Sequence, residues 1–125
     1  MKYLLTIAIA CLAVTAFAQQ EIKIEDVRNH IGDSVKICSK VYSSKYLEAD
    51  KGSPTFLNLG AAYPHQLLTI LIWSDTRKQF TNPPEQYFKG AKVCVTGRVQ
   101  MYNQIPEIII YSAMQIQDVN MDNNR

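Results

Sequence analysis

Between Ser34 and Ser44 the chain reads SVKICSKVYSS, with Val35, Ile37 and Val41 alternating with Lys36, Cys38 and Lys40. A period of two with one apolar face predicts a half-buried strand. PTFLNLG alternates again, Thr55, Leu57 and Leu59 against Phe56, Asn58 and Gly60. LLTILIW is apolar on both faces, which predicts a third strand with cover on each side. In AKVCVTGRVQMY, Val93, Val95 and Val99 share a face, and IPEIIIYSAMQI predicts a fifth strand. Ahead of them all, Ile24, Val27 and Ile31 fall at i, i+3 and i+7 before Gly32, the pattern of a short amphipathic helix with a glycine stop.

The connections refine this picture. YLEADKGSP is a loop punctuated by Gly52 and Pro54, and GAAYPHQ is a turn. DTRKQFTNPPEQYFKG breaks the strand pattern and holds one or two helical turns, Pro83-Pro84 opening the second and Gly90 closing it. Asn103 and Gln104 turn the chain into the last strand. Five strands with a helix between the third and fourth is the element order of an OB-fold, a small Greek-key barrel. The interior Gly97 fits a bend or bulge at a barrel corner. A β-sandwich fragment or an SH3-like barrel is the competing architecture, and the helix in that connection argues against both.

Composition changes the reading at the N-terminus. After Lys2 the run Tyr3 to Ala18 is interrupted only by Thr6 and Thr15 and closes in Ala16-Phe17-Ala18. A basic start, an apolar core and a small-residue site predict a secretory signal peptide over residues 1–18, cleaved after Ala18. Such a run is shorter than the roughly 18–20 residues of a spanning helix, so stable membrane insertion is not expected. Cys11 lies within the apolar run, which argues against a lipidation cysteine. The OB-fold domain then occupies 19–117, with a polar tail over 118–125. Export to the periplasm or the extracellular space is the expectation. With Lys2 set aside, the 13 basic side chains become 12 against 11 acidic ones. That balance excludes a protein gripping duplex DNA along a basic stripe. Cys38 and Cys94 remain, and in an oxidising compartment an even count favours a disulfide. In an OB-fold the first and fourth strands are antiparallel neighbours. Both thiols point away from the core, and the register decides whether they meet.

The runs TFLNLGAAYPHQLLTILIW and PPEQYFKGAKVCVTGRVQMYNQIPEIII resemble the OB-fold domain attached to secreted bacterial nucleases of the thermonuclease-like type, over about residues 24–116. FLNL also resembles the second strand of the anticodon-binding OB domains of some tRNA synthetases. The resemblance implies a base-stacking role for Phe56. In the nucleases a separate domain cleaves, and Asp75 with Arg77 is the one arginine–carboxylate cluster here, so no enzymatic activity is expected.

OB-folds bind on the face of their second and third strands, between the loops that here read KYLEADKGSP and YNQIP. Single-strand binding needs rings for stacking and cations for phosphate. The candidates are Phe56, Tyr63, Tyr46 and Tyr102 as rings, Lys45, Lys51 and Arg98 as cations, and Asn58 beside Phe56. An exposed Phe next to an Asn fits a site better than cross-strand packing. For Tyr63, turn packing and ligand contact stay equally open, and Trp73 reads as covered by the helix after it. His30 and His65 have no partner at ligand spacing, so neither metal nor cofactor is expected. The partner expected is single-stranded nucleic acid. The alternative is an envelope module for a protein or an oligosaccharide.

Overall fold

The computed structural model describes residues 8–10 and 19–119. Most of the expected leader, Cys11 and the tail beyond residue 119 lie outside them. No helix among the described residues is long and apolar enough to cross a membrane.

The chain is mostly β. Its strands are β1 (Gln20–Ile22), β2 (Ser34–Tyr46), β3 (Thr55–Leu59), β4 (Leu68–Ile72), β5 (Lys92–Tyr102), β6 (Ile105–Ile109) and β7 (Ile116–Asp118). Two single-turn helices, α1 (Ser74–Arg77) and α2 (Pro84–Tyr87), fill the connection from β4 to β5. The sheet runs β1-β2-β3-β4-β6-β5-β7, and β2 also pairs with β5. The five longer strands therefore form a circuit of pairings that returns to β2. All its contacts are antiparallel except β4 with β6.

The strand count is seven rather than the expected five. β1 lies parallel to β2, and β7 pairs with β5 at Val93 to Val95. Each is three residues long and occupies an edge that the neighbouring long strand leaves open. The segment read as one strand, 105–116, breaks after Ile109, makes a 3-10 turn at Ala113–Gln115 and re-enters the sheet as β7. Ser112 caps that turn by accepting from the Met114 N–H, while Gln115 accepts the Ser112 N–H. A Ser followed three residues later by Gln is a signal the strand pattern concealed.

The N-terminal helix is 3-10, over Ile24–His30. At three residues per turn Ile24 and Val27 stack on one face and are buried, whereas Ile31 rotates off it and is 42% exposed. Val35, Ile37, Val41, Leu57, Leu59, Ile70, Val93, Val95, Val99 and Ile108 form the core, as alternation dictates, with Phe88 closing over it. Gly97 holds regular register opposite Val35, so there is no bulge there. Its need is space: an added Cβ would meet Ile108 Cγ2 at 2.6 Å.

The register shift falls instead between Val41 and Ser43, where β2 advances two residues while β3 advances one. The extra residue at Tyr42 reverses the alternation of everything beyond it. Ser43 and Lys45 then pair with Asn58 and Phe56 on the outer face, and Ser44 and Tyr46 pair with Leu57 and Thr55.

Candidate binding cleft

The outer faces of β3 and β4 floor a cleft of about 680 Å³. Leu47 enters its wall from the β2–β3 loop, Tyr63 and Pro64 from the β3–β4 turn, and Tyr102 and Asn103 from the β5–β6 hairpin. Asn103 and Gln104 both have positive φ, 48° and 67°, as a two-residue hairpin requires. Arg28 braces that turn by donating to the Gln104 carbonyl at 2.9 Å.

Five of the eight residues singled out from sequence meet in this cleft: Phe56, Asn58, Tyr63, Lys45 and Tyr102. Tyr63 and Tyr102 are 72% and 63% exposed, and Phe56 is half-buried on the floor between Lys45 and Leu71. Asn58 is on the outer face, as alternation requires, yet only 4% exposed. It is a floor group rather than a surface one, because loop residues roof it.

Three candidates lie elsewhere. Tyr46 falls on the other side of β2 and carries the Arg77 guanidinium 3.5 Å above its ring. Lys51 sits in the exposed β2–β3 loop outside the cleft, and Arg98 is exposed on β5 opposite Ser34. Trp73, expected beneath the following helix, lies instead against the β2–β3 loop, where a Cβ on Gly52 would meet its ring at 2.8 Å. Gly52 has a φ of 77°, so it supplies both the turn and the room.

The feature missed in sequence is a polar row across the floor. Register aligns Ser43, Asn58, Thr69, Glu107 and Gln100 on successive strands. Asn58 Nδ2 donates to Ser43 Oγ at 3.0 Å, and the same oxygen accepts the Tyr63 N–H at 3.0 Å. Thr69 Oγ1 donates to Asn58 Oδ1 at 3.4 Å and accepts from Gln66 Nε2 at 3.1 Å. Gln100 Nε2 donates to Glu107 Oε1 at 3.1 Å. Gln66 and Glu107 are 8% and 5% exposed, and Gln66 Oε1 is buried without a hydrogen-bond partner. Burial pushes the Glu107 carboxyl above the ordinary carboxylate range, against the smaller lowering effect of the Gln100 N–H. The lone polar letters Thr69 in LTILI and Glu107 in IPEII were the available signal.

Arg77 and Asp75 do not form a cluster. Asp75 faces Lys78 at 3.7 Å on the surface. Arg77 makes a two-pronged contact with Glu85, Nη1 to Oε2 and Nη2 to Oε1, the latter at 3.0 Å, and Nη1 also donates to Thr55 Oγ1 at 2.8 Å. This pair ties α1 to α2. Among the described residues no three His, Cys, Asp or Glu side chains gather as metal ligands.

Cys38 and Cys94 face each other in register on β2 and β5 and form a disulfide, their Cα atoms 4.0 Å apart.

No family model matches the chain, and no curated protein matches it in sequence. Among solved structures it is similar to the S. pombe Stn1–Ten1 complex, with 16% identity and a TM-score of 0.56 over 86% of this chain and 82% of that one. It is also similar to the aspartyl-tRNA synthetase of Entamoeba histolytica, with 17% identity and a TM-score of 0.53 over 83% of this chain. The chain spans 22% of that synthetase. Identities this low speak for the fold alone, and the fold is a general OB-fold.

Proposed function

We propose that this chain is an exported, non-enzymatic OB module whose five long strands act as one barrel and whose β3–β4 cleft binds single-stranded nucleic acid. The observation that carries the reading is that Phe56, Tyr63 and Tyr102 line one cleft with Lys45. Rings stack on any base, each stacked base contributing about 1–3 kcal/mol. OB-folds bind oligonucleotides on this face. The synthetase that shares the fold is named for its action on tRNA, which supports the reading. The Cys38–Cys94 disulfide is compatible with an oxidising address. The resemblance to OB domains of secreted nucleases supports work alongside a nuclease.

The test is titration of a labelled single strand of about ten nucleotides, and of the matching duplex, across a salt series. Single-strand affinity above duplex affinity is expected. The logarithm of the binding constant should fall with a slope of about −0.7 per phosphate engaged against log salt. The slope should be shallow, because Lys45 is the one cation among the cleft residues. Absence of single-strand binding at low salt refutes the reading.

That scarcity of cations favours a second reading, an envelope module for an oligosaccharide, whose hydroxyls suit the neutral amides of the floor. Salt-independent binding of neutral oligosaccharides in the same assay would select it.

A further inference from the structure

Stacking on Phe56, Tyr63 and Tyr102 is indifferent to base identity, but the floor beneath those rings is not chemically neutral. The polar row satisfies itself up to Thr69. Asn58 bridges Ser43 and Thr69, and the Thr69 hydroxyl is used twice, accepting from Gln66 Nε2 and donating to Asn58 Oδ1. The Gln66 carbonyl is left over, a buried acceptor with no donor. Across the β4–β6 pairing Glu107 stands beside Thr69 in register, a second buried acceptor group that accepts from the Gln100 amide on β5. Both residues line the cleft. The only cation there, Lys45, pairs with Phe56 one row along, not with this acceptor pair.

A buried acceptor without a donor costs about 1–3 kcal/mol, and a ligand that brings the missing N–H recovers it. A ligand that brings another acceptor sets oxygen against oxygen and recovers nothing. A site of that kind discriminates strongly against an analogue lacking the donor.

Resting on the single-strand reading above, we infer that the cleft floor is a base-edge reader in which Gln66 and Glu107 accept from an exocyclic amino group, selecting an amino-bearing base over a keto pyrimidine. Cytosine and uracil make the cleanest comparison. They have the same ring size and differ along one edge: at position 4 cytosine has an amino donor and uracil a carbonyl acceptor, and at N3 cytosine accepts where uracil donates. Lys45 and the three rings would hold both equally.

The experiment measures binding of oligo-dC and oligo-dU of about eight nucleotides to the intact, disulfide-bonded protein at about pH 8, where cytosine is neutral. The expected result is about tenfold tighter binding of oligo-dC. Gln66→Leu is expected to close the gap by lowering oligo-dC affinity toward the oligo-dU level. Glu107→Gln, which keeps the shape and one acceptor while adding donors, is expected to narrow the ratio by admitting uracil. Equal binding of both strands by the unaltered protein overturns the inference and leaves the single-strand reading standing. Tighter oligo-dU binding also overturns it. Binding of neither strand, with an oligosaccharide bound instead, overturns both readings together. The comparison on the unaltered protein needs no variant to fold.

Discussion

Phe56 and Tyr46 look alike as candidate stacking rings, and the structure places them in opposite settings. Phe56 is half-buried in the cleft floor with a free face, whereas the Tyr46 ring is covered by the Arg77 guanidinium. Phe56→Ala should weaken single-strand binding by about tenfold at unchanged stability, within the 1–3 kcal/mol of one stacked base. Tyr46→Ala should lower the melting temperature and leave affinity as it was. Equal effects of the two on affinity would remove the assigned difference. Glu107 makes a pH prediction. Burial raises its pKa in the folded chain above the ordinary 4.5, so the folded state holds a proton that the unfolded state releases. Its contribution to stability is fully present below 4.5 and is lost as pH rises through the raised value. Glu85 behaves in the opposite sense. The hydrogen bond from Arg77 lowers its pKa, so its contribution is present above 4.5 and lost as pH falls through the lowered value. Glu107→Gln should therefore gain in melting temperature over the unaltered protein as pH rises from about 4.5, and a gain that is flat with pH would contradict the assignment.

Among the elements, the helical connection depends on one side chain. α1 and α2 are four residues each, too short to be stable by themselves. Arg77 holds them to each other through Glu85, to β3 through Thr55 and to β2 through the Tyr46 ring. Arg77→Ala leaves a largely buried Glu85 carboxylate without its counter-charge and should cost about 3 kcal/mol in denaturant unfolding. Asp75→Ala on the neighbouring turn should cost nothing measurable, because its pair with Lys78 is solvated. A cost for Arg77→Ala no greater than that for Asp75→Ala would show the pair is ornamental. The strands were legible from alternation because each packs one face on the core. The polar letters within them were harder to read, since Thr69 or Glu107 on an outer face is ordinary until loops roof that face and bury it. Likewise Ile105 to Ile116 carries enough apolar residues for one strand, and only the Ser112–Gln115 cap shows that the chain turns within it.

The molecule as a whole is held together across β2 and β5 by the Cys38–Cys94 bridge, which spans 56 residues of sequence. Closing a loop of that length restrains the unfolded chain by on the order of 4 kcal/mol in the entropy model. Thiol titration of the unfolded, unreduced domain should find neither cysteine free, and reduction should lower the denaturant midpoint. Two free thiols per chain would dismiss the bridge.

Much of this protein follows from the order of its residues. Period-two alternation at Val35, Ile37, Leu57, Leu59, Val93 and Val95 determined which faces are buried, and Pro83-Pro84 opened the second helix, which ends at Tyr87, short of Gly90. These are local signals, carried by neighbours along the chain. The sequence also supplied Phe56, Tyr63 and Tyr102 as ring candidates. Which of the eight candidates share a cleft was a different matter. The extra residue at Tyr42 decided it, by turning Lys45 toward the cleft and Tyr46 toward Arg77. The cross-strand row from Ser43 to Gln100 exists only in the register of five strands, and the leftover Gln66 carbonyl only once Thr69 is spent on Asn58. Register and hydrogen-bond saturation are properties of the assembled sheet, because each depends on residues far apart in the chain and brought together only by folding.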